Sequence, residues 1–160
     1  MTVEASERIL IAYDDSDGAK AAIDSAGRLF PGRLADVINV WQSVVVTAPT
    51  GNITVPTEVI GEARIELDRY TEAHAEWVAE EGAIAARASG LEASSRAVQA
   101  SGNIWATLVR DAADDAPAAI VLGSRGRSGI KSVLLGSVST GVVHHAPVPV
   151  VVVPSPSPSS

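Results

Sequence analysis

The chain has 160 residues, a net charge of −7 and 46% hydrophobic residues. This length suits one domain with a sizeable core, and the hydrophobic content excludes a disordered chain. The acidic balance argues against a nucleic-acid or anionic-membrane partner, and we expect neither. Since there is no cysteine, disulfides, thiolate catalysis and cysteine metal sites are excluded.

The amino-terminal stretch "MTVEASERILIAY" has an acidic lead and a short apolar run. This pattern differs from a signal peptide, and no apolar stretch approaches the roughly 18 residues of a membrane span. We therefore expect a cytoplasmic protein.

The first half of the chain alternates strand and helix patterns. The apolar run Arg8–Tyr13 predicts a buried strand, and the Asp/Ser cluster after it predicts a helix start in "DDSDGAKAAIDSAGRLF". Leu34–Trp41 predicts the second strand. The connection from Ser43 to Pro56 has the length of a functional or mobile loop.

Thr57–Ser89 predicts one long helix with an apolar stripe along one face. We interpret this stripe as the packed face of the helix, with His74 as a partly buried packing residue. Its members, spaced by threes and fours, are Ile60, Ala63, Leu67, Tyr70, His74, Trp77, Glu81 and Ile84.

The second half repeats the alternation. Its predicted elements are strand Leu91–Ser101, helix Asn103–Ala116, strand Ala118–Gly123, helix Ser137–His145 and strand Val148–Val153. Alternating strands and helices predict an α/β fold, a doubly wound five-stranded parallel sheet with helices on both faces. We expect a single domain over residues 1–153 and a disordered Pro/Ser tail over 154–160.

In such a sheet, ligands bind beyond the carboxyl ends of the strands. The candidate regions are therefore Tyr13–Ser16, Asn39–Trp41 and the chain from Gly123 onward. The plain interpretation of the Asp/Ser cluster in the first region is helix capping.

The stretch "VLGSRGRSGIKSVLLGSVSTG" carries glycines in the pattern G-x2-G-x9-G-S, from Gly123 to Ser137. Glycine allows close backbone approach, and the free N–H groups at a helix start attract anions. Arg125, Arg127 and Lys131 add positive charge. The spacing favours phosphate binding over a glycine-rich turn with a serine N-cap.

This stretch does not fit the Walker A pattern, because Ile130 separates Gly129 from Lys131 and Ser132. A magnesium-binding receiver domain is also disfavoured, since the third strand ends in "AVQASGN" without a carboxylate.

From "RILIAYDDS" to "HHAPVPVVVV", the chain resembles the universal stress protein family, in particular its ATP-binding branch. The resemblance implies strand order 3-2-1-4-5, the adenine nucleotide alpha hydrolase-like fold. It also implies ATP binding, with Mg²⁺ or Mn²⁺ accompanying the triphosphate. An apolar edge strand invites pairing, and the family dimer uses this strand, so we expect a homodimer through Val148–Val153.

By position, the resemblance assigns Asp14 to the adenine–ribose end of the ligand and Ala12 and Val40 to the adenine pocket. The residues it assigns to the phosphates and ribose are Gly123, Ser124, Arg125, Gly126, Arg127, Ser128, Gly129, Gly136, Ser137, Val138 and Ser139. Two residues depart from the family pattern: Asp15 stands where glycine is common, and Asn39 where histidine is frequent. The extra charge of Asp15 is expected to weaken binding of an anion.

No side chain is clearly placed to activate water against a γ-phosphate, so we expect no efficient enzyme and at most slow ATP hydrolysis. The resemblance implies a stress-response signalling or protective module. Two alternatives stay open: a dimeric interaction module without nucleotide, and an adenylyl-transfer hydrolase of the wider superfamily. The adjacent His144 and His145 make a poor metal pair, and we predict no metal site built from side chains alone.

Overall fold

The computed structural model describes residues 7–45, 55–127 and 135–156. Within these ranges the strands are β1 (Arg8–Ala12), β2 (Leu34–Trp41), β3 (Glu92–Gln99), β4 (Ile120–Gly123) and β5 (Val150–Val153). The helices are α1 (Asp17–Leu29), α2 (Thr57–Ala88), α3 (Ile104–Asp115) and α4 (Ser137–His145). All strand pairs are parallel, in the order β3-β2-β1-β4-β5, which confirms the predicted fold.

Each face of the sheet has its own core. Ile9 and Ile11 of β1 pack with residues of α1 and α2 on one face, whereas Leu10 packs with residues of α3 and α4 on the other. This alternation follows from the two-residue period of a strand. Because helices cover both faces, the central strands are apolar on both sides, as the unbroken run in β1 indicated.

The prediction that the apolar stripe is the packed face of α2 is wrong. Tyr70 is 75% exposed and Trp77 56% exposed, and His74 is also exposed. The side of α2 that packs on the sheet consists instead of small residues and one valine: Ala75, Val78, Ala79, Gly82, Ala83 and Ala86. Small side chains let the helix axis approach the sheet closely, and Gly82 lies directly against the Tyr13 ring.

A partly buried ion cluster, which the sequence did not suggest, joins β2, β3 and α3. The Asp36 carboxylate is 4% exposed and accepts a hydrogen bond from Arg96 Nε at 2.6 Å. The same guanidinium donates two bonds to Asp111. These bonds, Asp111 first, raise the pKa of Arg96 against the effect of its burial. Removal of Arg96 would therefore leave a buried carboxylate without its cation, which is strongly destabilising.

Several strands and helices are shorter than predicted. β5 begins at Val150 rather than Val148, and Pro149 just before it has a carbonyl that accepts from Ile120 N at 2.9 Å. Proline has no N–H to donate to a ladder, which fits its place at the strand start. None of the helices in the described ranges is long and apolar enough to cross a membrane.

Candidate functional site

A cavity of about 490 Å³ lies at the carboxyl edge of the sheet. Its volume is in the usual range for small-molecule sites. The ends of β1, β2 and β4 meet there with the start of α4, as the switch-point rule predicts. The predicted site residues that line it are Ala12, Asp14, Val40, Gly123, Arg125, Gly126, Arg127, Gly136, Ser137, Val138 and Ser139.

The remaining predicted site residues are Ser124, Ser128 and Gly129. Ser128 and Gly129, like the basic Lys131, lie outside the described residues. Ser124 is described, but it is 6% exposed and not part of the cavity wall.

The start of α4 supplies backbone donors to one end of the cavity. Gly136 is the N-cap residue, with φ −74° and ψ 172°, and no side chain caps the helix. A Cβ added to Gly136 would meet nothing closer than Ser124 O at 3.5 Å. The fold itself therefore does not require glycine here, whereas a ligand at the first N–H groups of α4 would.

Ser124 holds this end of the cavity together. Its carbonyl accepts from Gly136 N and from Ser139 Oγ, both at 2.7 Å, and its N–H donates to Val153 O at 2.8 Å. Its hydroxyl oxygen accepts from Ser155 N at 3.3 Å. Because Ser139 donates its only hydroxyl proton to this carbonyl, its Oγ can only accept a hydrogen bond from a ligand.

Gly123 has a packing role besides its place in the cavity wall. A Cβ on Gly123 would lie 2.6 Å from the carbonyl carbon of Gly18, and a Cβ on Gly18 would lie 2.7 Å from Arg125 O. Real Cβ atoms do not approach so closely, so the first turn of α1 and the end of β4 both need glycine. The pattern G-x2-G-x9-G-S does not include Gly18.

Asp14 stands at the junction of β1, α1 and the loop after β4. Its Oδ1 accepts from Ser16 N at 3.1 Å and from the Ser16 hydroxyl. That hydroxyl oxygen also accepts from Ala19 N, which caps α1. On the other side, a Cβ on Gly126 would lie 2.9 Å from Asp14 Oδ2. The carboxylate is thus fixed in orientation, with the backbone of Gly126 directly against it.

The opposite end of the cavity includes residues of α2 that the sequence analysis missed. About two turns of the helix contribute Thr71, His74, Ala75 and Val78, and β2 contributes Trp41, which is 8% exposed. The larger apolar residues of α2 predict a different packed side, so the sequence pattern does not indicate this contribution. Other apolar lining residues are Ala19, Ile38, Ile104, Leu108 and Leu122.

The first residues after β2 are attached to α2. Ser43 Oγ lies 2.7 and 2.8 Å from the two carboxylate oxygens of Asp68, and Val44 N donates to the same group at 3.0 Å. These bonds, the Ser43 bond first, lower the pKa of Asp68. Of the predicted loop from Ser43 to Pro56, residues 46–54 lie outside the described residues.

The amino-acid sequence matches the universal stress protein family over residues 5–154. It is also 32% identical over 150 residues to the universal stress protein YxiE of Bacillus subtilis, covering 91% of this chain and 97% of that protein. The chain belongs to the universal stress protein family.

Solved structures of universal stress proteins share the fold. The UspA structure from Lactobacillus plantarum has a TM-score of 0.69 at 24% identity, over 91% of this chain and 96% of that one. A universal stress protein in complex with cAMP has a TM-score of 0.62 at 22% identity, over 96% and 100%. One from Archaeoglobus fulgidus in complex with dAMP has a TM-score of 0.53 at 23% identity, over 91% and 96%.

The two departures from the universal stress protein pattern have defined places in the structure. Asp15 has a φ of +64°, the left-handed region that favours glycine, and its carboxylate pairs with Lys20 at 3.1 Å. It also accepts from the Tyr13 hydroxyl at 3.2 Å and is not among the residues that line the cavity. Asn39 Nδ2 donates to Tyr13 O at 2.8 Å, which links the ends of β2 and β1.

The charge of Asp15 is compensated locally. The hydrogen bond from Lys20, above all, lowers the pKa of Asp15, and the charges of Lys20 and Arg127 act in the same direction. Burial raises the pKa of Tyr13 to about 12, with the Asp15 charge as the next cause, so the phenol stays neutral at physiological pH. Lys20 is thus a counterion of the Asp15 carboxylate, and the predicted weakening of anion binding by Asp15 should be smaller than for an unpaired charge.

Proposed function

We propose that this universal stress protein binds an adenine nucleotide, with ATP as the preferred ligand, in the cavity at the carboxyl edge of the sheet. The observation that carries the proposal is the polarity of that cavity. One end offers the uncapped start of α4 together with Arg125 and Arg127, and the other offers apolar side chains of β2 and α2 beside a few polar ones. A phosphate chain suits the first end and a purine base the second.

Two of the structural neighbours were solved with cAMP and with dAMP, which supports an adenine nucleotide as the ligand class. Two arginines beside a helix start favour a ligand with several negative charges, and this favours ATP over a monophosphate. The ligand contacts that the family pattern assigns to individual residues between Ala12 and Ser139 are part of this proposal.

A divalent cation, Mg²⁺ or Mn²⁺, fits this arrangement as a companion of the triphosphate. The described residues contain no group of three or more His, Cys, Asp or Glu side chains that could hold a metal ion alone. Phosphate oxygens and water would therefore supply most of the ligands of the cation, as is common for Mg²⁺. The cation would shield the phosphate charge.

The experiment for this proposal is titration calorimetry of ATP with Mg²⁺ into purified wild type and Gly136→Val. A valine at Gly136 meets no close protein atom at its Cβ, so we expect a folded protein with at least tenfold weaker binding. Gly61→Val is the matched control, since a Cβ at Gly61 in α2 has nothing within 4 Å. Wild-type affinity in Gly136→Val, or equal loss in the Gly61→Val control, would contradict the assignment.

We further propose that the nucleotide-loaded protein acts in the cytoplasm as a stress-response signalling or protective module and turns ATP over slowly at most. Nucleotide released by heat from the purified protein and identified by chromatography separates this role from an interaction module without nucleotide. ATP turnover well above background would support the alternative of a hydrolase instead.

The quaternary part of the proposal is a homodimer formed through the β5 edge. β5 is the last strand of the sheet and pairs only with β4 among the described residues. Its four valines form an apolar edge with backbone groups available to a second chain.

A further inference from the structure

The exposed stripe on α2 has the spacing of a helix-pairing surface. We call it the α2 seam. Its residues are Ile60, Ala63, Leu67, Tyr70, His74, Trp77, Glu81 and Ile84. The steps of three, four, three, four, three, four and three residues repeat the heptad positions a and d over three and a half heptads. Such spacing keeps one side of a helix facing a second helix.

The seam is available to a partner. Tyr70 is 75%, Trp77 56%, Ile84 51% and Leu67 42% exposed in the part of the chain that the structure describes. The rings of His74 and Trp77 stack with centroids 5.8 Å apart, so these two neighbouring seam residues form one patch. The helix packs on the sheet through its other side, and the fold therefore does not account for these large apolar residues.

One flank of the seam is acidic. Glu62, Glu66, Glu76 and Glu80 lie beside the seam at helical spacing, away from the cavity. Glu66 pairs with Arg69 at 3.9 Å and Glu80 pairs with Arg87. Within the described ranges, Glu62 and Glu76 have no ion pair. The seam thus joins an apolar surface to a strip with excess negative charge.

This charge selects among possible partners. Two antiparallel copies of α2 would bring their acidic flanks together, and like charges at such positions are unfavourable. A helix with apolar residues at heptad spacing and lysine or arginine beside them would complement both features. The net charge of −7 would also attract such a helix from a distance.

We propose that the α2 seam binds a basic amphipathic helix of a partner protein. Tyr70 and Trp77 form the apolar centre of this interface, and large aromatic residues commonly carry most of the binding free energy at such centres. The glutamates at the flank set the charge and orientation of the partner helix. This interface uses the exposed face of α2, and His74 is the one seam residue that also lines the cavity.

The probe for this proposal is a fluorescein-labelled 21-residue peptide with leucine at positions a and d, lysine at e and g, and blocked ends. Anisotropy measures its binding to the full chain, with a scrambled peptide of the same composition as reference. We expect the ordered peptide to bind at least tenfold more tightly than the scrambled one. The double substitution Tyr70→Ser/Trp77→Ser should weaken the ordered peptide at least tenfold.

The control variant is Leu29→Ser/Val143→Ser, which removes two residues that are 58% and 47% exposed and lie outside the seam. It should bind as wild type, and circular dichroism should show all variants folded, since the changed side chains are exposed. Glu62→Gln/Glu76→Gln should weaken binding several-fold and reduce its dependence on salt.

Three results would overturn the proposal. The first is equal binding of ordered and scrambled peptides, including no binding of either. The second is unchanged affinity in Tyr70→Ser/Trp77→Ser. The third is a changed oligomeric state of that variant in sedimentation, because the seam would then be an interface between copies of this chain.

Discussion

Asp15 occupies a backbone position where glycine would be unstrained. Its φ of +64° is uncommon for a residue with a Cβ, although aspartate tolerates this region better than most residues. The pairing with Lys20 and the hydrogen bond from Tyr13 offset part of the backbone cost. The residue therefore holds a turn between β1 and α1 and keeps its charge away from the cavity wall.

This balance predicts different effects for two substitutions. Asp15→Ala keeps the unfavourable φ and loses both side-chain contacts, so we expect it to lower the free energy of unfolding by about 1–2 kcal/mol. Asp15→Gly loses the same contacts but relieves the backbone, so it should change the stability by less than about 1 kcal/mol. Urea denaturation measures both, and an alanine variant as stable as the glycine variant would contradict the reasoning.

The glycines show which residue-level roles can be predicted from the sequence. The pattern G-x2-G-x9-G-S marked Gly123 and Gly136 alike as phosphate contacts. The structure separates them, since Gly123 is required by contact with Gly18, whereas a Cβ on Gly136 would make only ordinary contacts, the nearest at 3.5 Å. A linear pattern cannot distinguish a glycine needed for packing from one needed for a ligand, because the contact partner lies more than 100 residues away in the chain.

At the scale of an element, α2 depends on small residues for its contact with the sheet. A Cβ on Gly82 would lie 2.6 Å from Tyr13 Cδ1 and 2.9 Å from a methyl of Val37. Larger apolar residues usually mark the core, but in α2 they lie on the outer face. Alanine and glycine gave a weak periodic signal although they form the closest contact.

Gly82→Ala and Gly61→Ala form a matched pair in this helix. Alanine favours a helix over glycine by about 1 kcal/mol, so Gly61→Ala, which meets no neighbour, should raise the free energy of unfolding by about that amount. At Gly82 the added methyl group overpacks the core at a cost of about 1–3 kcal/mol, and the net result should be destabilising. Thermal and urea unfolding report the sign. Stabilisation by both substitutions would show that the Tyr13 ring can move aside.

At the scale of the whole molecule, the strand order explains where the cavity lies. The chain enters α1 on one face of the sheet and α4 on the other, so the carboxyl ends of β1 and β4 leave a gap between them. Alternating patterns in the sequence predicted the parallel sheet and this edge. They did not predict the ion cluster of Asp36, Arg96 and Asp111, because that cluster depends on the register of β2 against β3.

The register also allows a test of the proposed dimer. The carbonyl of Pro149 accepts from Ile120 N of β4, and that of Val153 accepts from Ser124 N just after β4. By the alternation of a parallel ladder, Val151 therefore faces β4, and Val150 and Val152 direct their backbone groups to the open edge. Val152→Pro removes one outward N–H and leaves the ladder to β4 intact, as proline is tolerated at such edge positions.

Each copy would lose one intermolecular hydrogen bond, together about 1–3 kcal/mol, so the dissociation constant of the dimer should rise about tenfold or more. Val152→Ile keeps the N–H and is the matched control. Sedimentation velocity over a concentration series gives the constant, and circular dichroism shows that the fold persists. A folded Val152→Pro protein that is as dimeric as wild type would exclude pairing through β5, and a monomeric wild type at high concentration would exclude the dimer itself.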